Sequence, residues 1–198
     1  MILQYRGEML RFIEQHDHAL FSGALAHAWR TSQGARLPYE EVLLNACHDL
    51  AWAPINAIDT IRAHELPFDH ERGMPHDFTT LPTRDKILLY AQGLELMEDI
   101  HPLVGLVMSL HYGIFIPREP YSEEFHATED ARRIRLAAKL GVQSTQDARV
   151  LAAYERLKYF DMVSLYACLG TPEAAPRTLP RWLTPSYSVD GTHYAFGW

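Results

Sequence analysis

The chain has 198 residues, 47% of them hydrophobic and 22% charged, which is an ordinary balance for one globular domain. Its formal net charge of -7 argues against a protein that binds nucleic acid through a basic surface. No apolar run approaches the roughly 18 residues of a membrane-spanning helix, and the N-terminus lacks a secretory signal. We therefore expect a single cytoplasmic domain over 1–198 that binds neither nucleic acid nor a membrane. Composition leaves its oligomeric state open.

The pattern of apolar residues predicts a mainly helical chain with β structure at both ends. Alternating residues around Gly7 and Glu8 predict a β-hairpin over 1–14. A helical core is expected over 15–170, with helices over 18–29, 38–52, 83–99, 102–113, 122–140 and 144–169. Alternating aromatic residues and the turn signal Asp190-Gly191 predict a β tail over 177–198. We expect this tail to pair with the N-terminal hairpin in one small sheet.

The least regular part of the chain is 53–82, which contains four prolines and three histidines. Its Gly and Pro residues are typical of an ordered loop rather than of low complexity. Irregular segments of this length inside a compact domain are often functional. We interpret 53–82 as a loop or lid that covers a site and selects its substrate.

Charged and polar side chains interrupt two otherwise apolar helices. His48 and Asp49 follow the apolar run 43–47, and Asp161 falls on the apolar stripe of the last helix, between Leu157 and Leu165. A buried carboxylate is normally protonated, paired with a cation or bound to a metal ion. These residues therefore need partners on other helices.

Two further histidines extend the set. His18 begins a helix just after Asp17, which we expect to cap that helix, and His111 lies within the apolar helix 102–113. Imidazole and carboxylate ligands suit one or two divalent ions of Mn, Fe, Zn, Ni or Co. The same residues could instead form a metal-free hydrogen-bond network, in which His48 and Asp161 contact each other directly.

The order of His18, then His48 and Asp49, then Asp161 resembles the HD superfamily of metal-dependent phosphohydrolases. The local contexts match as well, with small residues after the first histidine, an apolar run before the pair and a long helix around the late aspartate. The resemblance implies an HD-like helical bundle in which these four side chains bind a divalent metal. His111 resembles an additional histidine of the members that bind two metal ions.

By this resemblance we expect a hydrolase of a small, anionic phosphate ester. Asp49 would orient or deprotonate the attacking water, and His111 would protonate the leaving group or bind a second metal. Many HD enzymes follow the pair with Gly and a basic residue that helps to hold phosphate. This chain instead has Leu50-Ala51-Trp52, and Arg84 is the nearest candidate for an anion contact.

Two other functions are compatible with the same residues. One is a di-iron oxidative enzyme that uses His111 as an additional ligand. The other is a non-catalytic module that binds a structural metal or senses a ligand, in keeping with the missing basic residue. Whether the protein is an enzyme is therefore left open by the sequence.

Nearly the whole chain also resembles an uncharacterised bacterial family, the domain of unknown function three-eight-nine-one. The resemblance rests on QHDHALFSG, HDLAW, GMPHDF, VMSLHYGIF and the terminal strands. It implies a fold and a site without implying an activity.

Overall fold

The computed structural model describes residues 2–6, 9–56, 68–69, 71, 73–170, 183 and 186–195. The longer helices within these residues are α1 (Gln15–Ala28), α2 (Tyr39–Cys47), α3 (Thr83–Ile100), α4 (Pro102–Gly113), α5 (Glu123–Lys139) and α6 (Ala148–Leu169). Shorter turns occupy Leu50–Trp52, Ala53–Asn56 and Pro120–Ser122. The predicted mainly helical fold is confirmed. Every described helix is too short or too polar to cross a membrane.

The strands form three antiparallel pairs in the described residues. They are β1 (Ile2–Arg6) with β2 (Met9–Ile13), β3 (Phe68–Asp69) with β4 (Met74–Pro75), and β5 (Ser186–Val189) with β6 (Thr192–Ala195). The predicted terminal hairpins are confirmed, including the turn at Asp190 and Gly191, both of which have positive φ. The expected lid 53–82 and tail 177–198 are described only in part, because 57–67, 70, 72, 171–182, 184–185 and 196–198 lie outside the described residues.

The two terminal hairpins do not join in one sheet as expected, since each described pair stands alone. They cover different parts of α6. On β1, Ile2 packs with Leu165 and Tyr166, while the C-terminal hairpin packs on Tyr159 and Phe160. The two described hairpins therefore contact different residues of α6.

The core is organised around α4, which contacts α2, α3, α5 and α6. Residues 103–109, 111 and 112 of this helix are all buried. A helix that is apolar on all sides is normally enclosed by other elements, and α4 follows that rule. This position carries His111 into the interior.

Small residues bring the segments that carry the predicted site into close contact. A Cβ added at Gly23 of α1 would lie 2.6 Å from the Cβ of Ala46 in α2. A Cβ added at Gly93 of α3 would lie 2.2 Å from that of Ala51, just beyond Asp49. No larger side chain fits either contact without movement of the backbone.

Three helix boundaries differ from the prediction by three or more residues. Helix α1 begins at Gln15 after Glu14, so Asp17 lies in its first turn and does not cap it. A carboxylate there is still favourable, because it faces the positive end of the helix dipole. Helix α6 begins after Asp147, whose side chain accepts a hydrogen bond from the Arg149 amide, rather than at 144. Helix α2 ends at Cys47 and not at 52.

Candidate metal centre

Three helices and one turn bring the predicted ligands together. His18 lies in the first turn of α1, and Asp161 lies near the middle of α6. His48 is the C-terminal cap of α2, and Asp49 follows it with φ -112° and ψ 21°. Because the helix stops before this pair, the two side chains can turn towards the same point, with His48 Nε2 3.7 Å from Asp49 Oδ2.

The donor atoms of the four side chains lie close to one another. His18 Nε2 lies 3.0 Å from Asp161 Oδ1, and His48 Nε2 lies 3.3 Å from the same oxygen. On the other side, His18 Nδ1 lies 3.3 Å from Asp49 Oδ2. One donor atom from each of His18, His48 and Asp49 lies within 4.8 Å of the others. Two ligands of one transition-metal ion, bound at about 2.1 Å, are roughly 3.0–3.4 Å apart. The spacings from the two Nε2 atoms to Asp161 Oδ1 suit a shared ion, whereas His18 faces Asp49 with its other ring nitrogen.

The surroundings of both imidazoles leave Nε2 facing the cluster. His48 Nδ1 donates to the Asn45 carbonyl at 2.8 Å, and His18 Nδ1 lies 3.4 Å from the Gln15 carbonyl. Each Nδ1 therefore carries a hydrogen, and in a neutral ring Nε2 presents a lone pair. Neither Nε2 has a hydrogen-bond partner of acceptable geometry among the described residues. A lone pair that faces a carboxylate needs a proton or a metal ion between them.

The charges of the cluster are strongly coupled. Burial lowers the pKa of His18, but Asp161 and Asp49 outweigh that effect and raise it to about 10. The pKa of His48 is also raised, since the same carboxylates outweigh its burial. Burial opposes ionisation of Asp161, yet His18 and His48 hold its pKa well below the usual value. The site is therefore built for cations, either protons on the imidazoles or a metal ion in their place.

His111 lies on the other side of the Asp161 carboxylate. Its Nε2 is 3.9 Å from Asp161 Oδ2, whereas His18 and His48 face Oδ1. Burial lowers the pKa of His111 to about 4, and the positive charges of His48 and, to a smaller extent, Lys158 add to the lowering. His111 is therefore neutral at pH 7, which favours a ligand role over proton donation.

Sequence reasoning did not identify three residues that support the cluster. The Gln15 amide donates to Asp49 Oδ2 at 2.9 Å, and Tyr112 donates to the His48 carbonyl at 2.7 Å. Asn45 supplies the carbonyl that orients His48. Gln15 and Asn45 each lie three residues before a histidine of the cluster, so spacing along a helix was the signal that could have indicated them.

The cluster is nearly enclosed by the described residues. The Asp161 side chain is 16% exposed and that of Asp49 10%, whereas His18 and His48 are 1% exposed. An open cavity of about 370 Å³ lies elsewhere, near the starts of α2, α4 and α6, and its lining contains none of the predicted ligands. The Arg84 guanidinium, considered for anion binding, lies 5.9 Å from the centre of the Tyr121 ring.

The comparisons with known proteins give a family without an activity. The model of a family described as "Protein of unknown function (DUF3891)" matches residues 1–188. This finding confirms the resemblance to that family seen in the sequence. No curated protein and no solved structure matches the chain.

Proposed function

We propose that this chain, which belongs to the DUF3891 family, is an HD-like metal-dependent hydrolase of a small phosphate ester. One observation carries the proposal. His18, His48, Asp49 and Asp161 come from distant parts of the chain, and the two Nε2 atoms lie 3.0–3.7 Å from carboxylate oxygens without a hydrogen bond of acceptable geometry among the described residues. Their order along the chain is that of the HD ligands. A cytoplasmic location and a bacterial origin stay predictions.

The ligand set suits Mn, Fe, Co, Ni or Zn. A divalent ion held there would acidify a bound water and neutralise charge on a phosphoryl group. Asp49 is fixed by the Gln15 amide, which lets it orient the nucleophilic water or take its proton. The Nδ1 hydrogens of His18 and His48 point to backbone carbonyls, and such contacts hold metal-binding imidazoles in one orientation.

A two-ion form of the site has its own support. Asp161 presents one oxygen to His18 and His48 and the other to His111, so the residues that would hold a second ion are Asp161 and His111. Two irons at these positions would instead favour oxidative chemistry, and a visible absorption band of the purified protein would distinguish that function from hydrolysis.

A non-catalytic metal module is the other candidate. In the described residues, Ala51 and Trp52 are both 3% exposed, so the segment after Asp49 belongs to the core and offers no basic side chain to a substrate. This function would be favoured if a tightly bound metal ion were needed for folding and if the protein showed no catalytic turnover.

The first test is elemental analysis of the wild type and Asp161→Ala, both purified without chelator. We expect about one or two equivalents of a transition metal in the wild type and little in the variant, since loss of one ligand opens the site. The control is Asp99→Ala, an exposed aspartate of α3. Metal in the wild type would be followed by a phosphatase assay with p-nitrophenyl phosphate and the same ion.

A wild type that binds no supplied metal would exclude both the hydrolase and the iron enzyme. The 3.3 Å contact between His48 and Asp161 would then be part of the metal-free hydrogen-bond network.

A further inference from the structure

The charge of the cluster poses a problem for an anionic substrate. Asp49 and Asp161 carry two negative charges, which a single divalent ion would only balance. Recognition of a phosphate group therefore needs a further positive charge near the site. The residues after the HD pair cannot supply it here, because Leu50, Ala51 and Trp52 are all uncharged.

Lys158 lies on the same helix as Asp161, three residues before it. Side chains at this spacing are neighbours on a helix surface. The Lys158 ammonium lies 4.8 Å from the centre of the Tyr154 ring, and that ring lies 6.0 Å from His111, centre to centre. Tyr154 thus contacts both the ammonium and His111. Sequence reasoning found no cation on this face because it considered only Leu157 and Leu165.

The ammonium is held by a contact that a ligand can replace. Its ion-pair partner among the described residues is Glu155, at 2.6 Å. The side chain of Glu155 is 50% exposed and that of Lys158 31%, and ion pairs in such surroundings contribute little to stability. Exchange of Glu155 for a phosphate oxygen would cost little.

Two other cationic side chains, those of Arg133 and Arg156, already form hydrogen bonds to other helices. Arg133 donates to Ser109 Oγ at 2.9 Å and to the Ser109 carbonyl at 2.7 Å. Arg156 binds both carboxylate oxygens of Glu41, at 2.6 and 2.8 Å. These guanidinium groups stabilise packed helices and are poorly placed to turn towards a substrate.

We propose that Lys158 is a substrate-binding residue of this site, whose ammonium contacts the phosphoryl group and supplies the positive charge absent after Asp49. The inference rests on the proposed function. Tyr154 supports the ammonium through its ring, and Glu155 is the partner that it leaves when substrate binds.

The test measures binding of inorganic phosphate to the metal-loaded full-length protein by calorimetry. Lys158→Gln should weaken phosphate binding by about tenfold or more, because a charge-assisted hydrogen bond is lost. Lys158→Arg should stay within a few-fold of the wild type, since the charge remains. Lys139→Gln is the matched control, because it removes an exposed lysine of another helix, α5. Elemental analysis of each variant should show unchanged metal content.

The outcomes separate this inference from the proposed function. Normal phosphate binding by a metal-loaded Lys158→Gln would overturn the role of Lys158 and leave the metal site intact. Metal uptake by the wild type without phosphate binding would also overturn it. A wild type that takes up no metal would overturn the proposed function and this inference together.

Discussion

At the scale of single residues, the cluster depends on groups that orient the ligands as much as on the ligands. The clearest case is Gln15, which is buried and donates its amide to Asp49. Its Oε1 has no hydrogen-bond partner among the described residues, so the side chain retains one acceptor beside the site. The amide fixes the carboxylate, and Oε1 could accept a hydrogen bond from water there.

Replacement of Gln15 by Leu should weaken metal binding while leaving all predicted ligands in place. We expect a loss of about 10–100-fold in affinity, the usual effect of removing a residue that orients a metal ligand. Competition with a chromophoric chelator would measure it. Gln92→Leu, at an exposed position of α3, is the control. Equal affinities for Gln15→Leu and the wild type would show that Asp49 needs no such support.

At the scale of elements, local signals predicted much of the structure and tertiary contacts account for the rest. Helix α4 was predictable to the residue, because His101 caps it and Pro102 begins it. Asp161 was predictable as a site residue from its place on an apolar stripe. The contact of Gly93 with Ala51 was not, because it joins residues far apart in sequence whose small size has no periodic signal.

The same limit explains the errors in the candidate site. Asp17 has the residue type of a helix cap, but Gln15 already lies within α1 and turns its amide towards Asp49. The helix preferences of the residues around Gln15 could not indicate this role, because its partner Asp49 lies on another segment of the chain. Lys158 was missed for a different reason, because only Leu157 and Leu165 were considered as neighbours of Asp161 on the same helix.

The Gly93→Ala variant tests whether the close contact between Gly93 and Ala51 holds the segment after Asp49 in place. Helix propensity alone predicts a gain of about 1 kcal/mol from Ala. We expect instead a loss of about 1–3 kcal/mol in the free energy of unfolding, because the new Cβ would meet Ala51. Urea unfolding would measure the change. Gln92→Ala, at an exposed position of the same helix, is the control, and a stabilised Gly93→Ala would contradict the packing argument.

Across the fold as a whole, the candidate metal centre and the main core are built from different side chains. The main core contains Leu94, Met97, Leu106, Met108 and Leu157, all of them fully buried and none of them a predicted ligand. On the basis of this apolar burial we expect the chain to fold without an ion. Metal should therefore stabilise a fold that already exists.

Chelation of the metal should lower the unfolding temperature while the far-ultraviolet circular dichroism stays helical. Free metal at 100 times its dissociation constant would contribute about 2.7 kcal/mol to stability. Asp161→Ala should unfold at one temperature with or without metal, because it lacks the site. Loss of the helical signal on chelation would contradict this separation and favour the structural-metal module.

The residues of the cluster come from three well-separated parts of the sequence. This separation affects when, during synthesis of the chain, the site could bind a metal ion. As the chain leaves the ribosome, His18, His48 and Asp49 emerge well before Asp161, so early in synthesis the ligands surround only part of a site. Docking of α6 completes it, and Asp161 is then the most exposed of the four ligands. Which cellular metal binds would therefore be decided when α6 docks, after most of the protein has been made.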